Sequence, residues 1–71
     1  MKVSITALTG KVNKLYNNKM VSVNGHECGV LGLSTKDSVE FTFFSRCTST
    51  EKFDGLKFED VKSCKDFFKK L

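Results

Sequence analysis

The chain has 71 residues, 39% of them hydrophobic, which suits one globular domain and leaves no room for a second core. Its formal charge is +4, carried by eleven lysines and Arg46 against eight carboxylates. Val, Ile, Leu and Phe are too frequent for a disordered tail, and no apolar run nears the roughly 18 residues of a membrane span.

Residues 1–10 alternate and carry a single lysine, so they read as neither a signal nor a transit peptide, and a soluble, cytoplasmic protein is expected. Lys2 to Leu8 forms a half-buried strand, with Val3, Ile5 and Ala7 on one face and Ser4 and Thr6 on the other. Thr9-Gly10 ends it. Lys11 to Lys19 then reads as a polar, lysine-studded loop with Leu15 and Tyr16 inside it. Met20 to Val23 resumes the alternation, and Asn24-Gly25 marks a two-residue type I′ hairpin turn, where both positions need positive φ. The return strand runs from about Glu27 to Ser34, and Gly29 and Gly32 interrupt it as a bulge or sharp bend would.

After the polar turn Thr35–Ser38, Val39 to Ser45 has the strongest strand pattern, with Val39, Phe41 and Phe43 inward. Phe44 breaks that alternation, as a second-core residue or an exposed anchor. Arg46 to Lys52 reads as a loop and Asp54-Gly55 as a turn. Beyond it, Phe58, Val61, Cys64, Phe67, Phe68 and Leu71 recur at helical steps, and that periodicity favours one long helix. A competing reading makes Leu56 to Val61 a fifth strand and lets Ser63 cap a short terminal helix.

The expected fold is therefore α+β and mainly β. It is a small antiparallel sheet, or a partly closed barrel, of four to five strands with a C-terminal helix. With a fifth strand the element order is similar to that of an SH3-like small barrel, although no family motif accompanies it.

Candidate chemistry is sparse. Cys28, Cys47 and Cys64 are odd in number, which with no secretory signal reads as free thiols in a reducing compartment. With His26 they could form a four-ligand metal set, but no pair has zinc-knuckle spacing, and buried cysteine behaves as a small hydrophobe. No metal or cofactor is expected. Phosphate loops, paired acidic motifs and nucleophile elbows are absent, and a chain this short rarely makes both a core and a sheltered cleft. The expectation is a binding protein rather than an enzyme.

Two binding surfaces compete. Seven phenylalanines fall in the last 31 residues, more than a small domain easily buries. Phe44, Phe67 and Phe68, rimmed by Lys65 and Lys69, are the candidate protein-binding set, which implies a larger protein partner or a homodimer seam. A regulator or inhibitor follows. The lysine bias fits an AT-rich genome, which makes a phage-encoded modulator of host machinery one concrete version. The alternative is RNA or single-stranded DNA bound by Lys11, Asn13, Lys14, Tyr16, Asn17 and Lys19, with phosphate attraction, amide bonding and an aromatic stacking face. Against that, Leu15 and Tyr16 could simply tuck into the core.

Overall fold

In the computed structural model, which describes all 71 residues, the alternating N-terminal segment becomes strand β1, Val3–Ala7. A short helix, α1, spans Lys11–Leu15. Strands β2 (Lys19–Val23) and β3 (His26–Leu33) follow, joined by the hairpin turn that Asn24-Gly25 dictates. Both turn residues have positive φ, 53° at Asn24 and 83° at Gly25, as a type I′ turn requires. Strand β4 covers Phe41–Ser45, a 3₁₀ helix covers Thr48–Phe53, β5 is Lys57–Phe58, and α2 is Val61–Lys69. The strands form one antiparallel sheet in chain order, β1-β2-β3-β4-β5. Its two edge strands do not pair with each other, so the sheet is open, and α2 packs against both β1 and β5.

The competing reading of the C-terminus is the one the molecule adopts, and the long helix does not form. Lys57 and Phe58 pair with Thr42 and Phe41, so Phe58 enters the core as a strand residue. Asp60 is extended, with φ −155° and ψ 173°, and accepts a hydrogen bond from the Ser63 N–H at 2.7 Å. The cap of α2 is therefore Asp60, and Ser63 supplies the backbone donor rather than the capping oxygen. Three further expectations change. Lys11 to Lys19, expected as a loop, winds into α1 over Lys11–Leu15 and gives Lys19 to β2, because the Lys14 N–H finds the Gly10 carbonyl at 3.0 Å and the Tyr16 N–H the Val12 carbonyl at 3.3 Å. Val39 is 87% exposed and precedes β4, because the Ser38 hydroxyl closes a local turn onto the Glu40 N–H at 3.2 Å. The stretch expected as a loop after β4 instead winds into the 3₁₀ helix, pinned where the Thr50 hydroxyl donates to the Cys28 carbonyl at 2.9 Å.

One sheet face carries the core. Val3, Val21, Leu31, Phe41 and Phe43 meet Cys64 and Phe68 of α2, with the Phe43 and Phe68 rings 4.9 Å apart. Phe53 stands edge-on to both Phe67 and Phe68, at 5.1 and 5.8 Å. Six of the seven phenylalanines thus lie in or against this core, and Phe44 alone stays outside it. Such tilted and edge-on pairs each add about 1 kcal/mol beyond the area they bury.

The bend expected at the β3 glycines is a bulge. Val21 pairs with Gly29 and Ser22 with Glu27, which leaves Cys28 as the extra residue. Its carbonyl collects the Arg46 N–H at 2.9 Å and the Thr50 hydroxyl, so the bulge is also held from the β4 side.

Candidate docking surface

Alternation places Thr6, Met20, Val30 and Phe44 on the sheet face turned away from α2, in one row of paired residues across four strands. Phe44 ends the row and is 48% exposed. Gly32 shares that face, and a side chain there would meet the Asn18 amide and the Tyr16 carbonyl. The α1 excursion therefore sits on the same face as Phe44.

Asparagines hold the excursion in place. Asn17 takes the left-handed conformation, φ 50°, that a helix C-terminus favours. Its N–H bonds to the Lys14 carbonyl at 3.2 Å and the Asn18 N–H to the Asn13 carbonyl at 2.8 Å, the paired pattern of a Schellman motif. The Asn13 side chain donates to the Thr9 carbonyl and accepts from the Asn18 amide at 3.0 Å. Two backbone bonds fasten the segment to the sheet, Leu33 N–H to the Tyr16 carbonyl at 2.8 Å and Leu8 N–H to the Asn18 carbonyl at 3.0 Å.

This bracing leaves apolar side chains in solvent. No residue of α1 is buried, and Val12, Leu15 and Tyr16 are 63%, 50% and 37% exposed. Spaced i, i+3 and i+4, they share one helix face. Lys11 and Lys14 are exposed beside them, and the Lys19 ammonium donates to the Asn17 side-chain oxygen at 3.3 Å. The molecule's single ion pair is Lys57–Glu40, so none of these lysines is paired to a carboxylate.

The residues singled out from the sequence divide differently. Leu15 and Tyr16 do not tuck into the core. Phe68 is completely buried against Phe43 and is a core residue, so it offers no contact surface. Phe67 is half-buried between Phe53 and Phe58, Lys65 is half-buried, and Lys69 is exposed. Phe44 faces away from α2, so the expected aromatic set does not form one surface. In the basic segment, Lys11, Lys14 and Tyr16 face solvent, whereas the Asn13 and Asn17 amides are engaged within the segment. Sequence reasoning passed over Val12 and Leu15 as contact residues, although their spacing with Tyr16 was a readable amphipathic signal.

The thiols occupy distinct environments. Burial pushes Cys64 up to about 12 and also raises Cys28, whose thiol donates to the Val21 carbonyl at 3.4 Å. Cys47 is lowered by hydrogen bonds from the Ser49 and Thr50 hydroxyls. His26 and Cys28 help line a cavity of about 280 Å³ between the β2–β3 turn and the end of α2. Within that cavity the Cys28 thiol is turned to the Val21 carbonyl rather than to the histidine. No three His, Cys, Asp or Glu side chains are grouped to hold a metal ion, and no helix is long and apolar enough to cross a membrane. No protein-family model, curated protein or solved structure gives a significant match to this chain.

Proposed function

We propose that this chain is a non-catalytic binding protein, a small regulator or inhibitor that docks on a larger protein. Its contact surface is the sheet face turned away from α2, anchored by Val12, Leu15, Tyr16 and Phe44. The observation that carries this reading is α1 itself, a rigidly braced helix with no buried residue and three apolar side chains in water. Its shape is fixed by backbone and asparagine hydrogen bonds, so packing does not explain the apolar residues. Covering a Val or Leu side chain on a partner gains about 1.5–3 kcal/mol, and a pre-ordered segment loses little entropy on docking.

RNA or single-stranded DNA binding through the same segment is the weaker reading. Three lysines contribute about three counterions' worth of affinity, and Val12 and Leu15 offer nothing to a phosphate backbone.

Site-specific photo-cross-linking tests the proposal. The cross-linking side chain is placed at Val12, at Phe44, or at exposed Lys62 on α2, and the protein is irradiated in the cells that produce it. Discrete protein adducts are expected from positions 12 and 44 and not from 62, and they should disappear when Leu15→Glu is added. Equal labelling from all three positions, or none from 12 and 44, would overturn it.

A further inference from the structure

We infer that the partner presents an acidic amphipathic helix to α1, its apolar side chains on Val12, Leu15 and Tyr16 and its carboxylates on Lys11 and Lys14. The inference rests on the docking reading above and adds the chemistry of the partner.

Charge is the first argument. No carboxylate occurs before Glu27, so β1, α1 and β2 together carry lysines and no acid. The molecule's one ion pair lies elsewhere, between Lys57 and Glu40. Lys11 and Lys14 are therefore exposed cations with no ion-pair partner in the molecule, and such charges favour and steer an anionic partner. The same lysines argue against a second copy of this chain on that face, since they would meet one another.

Shape is the second. Five helical residues span only about 7.5 Å, so the apolar seam matches one to two turns of an opposed helix. Nucleic acid would use the amides, yet Asn13 and Asn18 bond to each other and Asn13 also bonds to the Thr9 carbonyl. What remains outward is an apolar stripe bordered along its Leu15 side by the Lys11 and Lys14 ammonium groups, and an acidic amphipathic helix complements both.

The test uses the full chain, labelled with ¹⁵N, and a synthetic peptide of about 16 residues with Leu at helical spacing and Glu elsewhere. Comparison probes are the same peptide with Lys for Glu, a Glu/Ser peptide without Leu, a short single-stranded DNA, and phosphatidylserine vesicles. The acidic amphipathic peptide should shift the amides of residues 11–19 and bind at least about tenfold more tightly than either peptide control. Lys11→Glu with Lys14→Glu should lose that binding and gain the basic peptide. Both lysines are exposed, so the fold should persist, and an otherwise unchanged amide spectrum checks that.

Equal binding of the basic or Leu-free peptide would overturn the inference. So would stronger shifts of residues 11–19 by DNA or vesicles, or no shift there with any peptide. If peptides of either charge shift only the Val30 and Phe44 region, the acidic helix is wrong while docking on this face stands. The cross-linking pattern decides the docking reading independently.

Discussion

Gly29 shows how one missing side chain shapes the sheet. A Cβ at this position would lie 2.6 Å from the Phe44 carbonyl oxygen and would press into the Phe43 ring. One of those obstacles is backbone and the other is a fully buried aromatic, so neither can move aside cheaply. Gly29→Ala is expected to destabilise the protein by about 1–3 kcal/mol, read as a lower urea midpoint with unchanged slope. An unchanged midpoint would mean that the bulge absorbs a methyl group. The sequence pointed to a bend in this strand through Gly29 and Gly32, but not to their different partners. Phe43 rests on Gly29, a contact between paired strands, whereas Asn18 covers Gly32 from a separate excursion. Periodicity along one strand carries no trace of a residue that arrives from outside it. The same limit hid the fate of the adjacent phenylalanines. Helical steps placed Phe67 and Phe68 near the core, but their partners differ: Phe68 meets the buried Phe43 ring at 4.9 Å, whereas Phe67 lies between Phe53 and Phe58.

At the scale of elements, α1 and α2 differ in what ends them. The short α1 has no side-chain cap at Gly10 and stops in the Schellman turn around Asn17, whereas α2 begins at a true cap on Asp60. Hydrogen bonds from the Ser63 N–H and hydroxyl hold the Asp60 carboxyl below its usual range. A lowered folded-state pKa stabilises the fold above the ordinary carboxylate pKa, and that contribution is lost as pH falls through the folded value. Asp60→Ala should therefore lower the melting temperature at pH 7, with a smaller difference from the parent at acid pH. Asp60→Asn, which keeps a capping oxygen, should retain most of the parent's stability. Identical melting of Asp60→Ala and the parent at neutral pH would show that core packing alone starts this helix. The boundary between β5 and α2 was hard to read because the strand is only two residues long. Phe58 and Val61 fit a helical step by coincidence, and Glu59-Asp60 gives no glycine or proline to break the pattern.

Across the whole molecule, α2 joins the two edges of the sheet and brings Cys64 into a fully buried position. The fold holds this thiol protonated, with its pKa pushed up to about 12 from an ordinary 9.0. Because the folded value is the higher one, the stabilising effect is complete below pH 9 and is lost as pH rises through the folded value near 12. Cys64→Ala removes this titration while costing packing at every pH. The urea midpoint gap between parent and variant should therefore be wider at pH 7 than at about pH 10.5. A gap that stays constant would mean that the unfolded chain does not ionise Cys64 more readily than the fold. The sheet order itself was legible, since short connections and one decisive turn sequence leave few arrangements other than neighbour pairing. The open seam was not, because it depends on α2 lying between β1 and β5.

That strand order also sets a sequence of events in folding. Every strand pairs with its neighbour in the chain, so the sheet can zip outward from the Asn24-Gly25 turn by closing short loops. The exception is α2 meeting β1, a contact between opposite ends of the chain. On a ribosome this helix emerges after all five strands. Until it docks, Val3 and Phe43 face water beside an unpaired strand edge, and the nascent chain is most prone to aggregate. The nine residues of α2 therefore govern how long the newborn sheet stays adhesive as well as how stable it becomes.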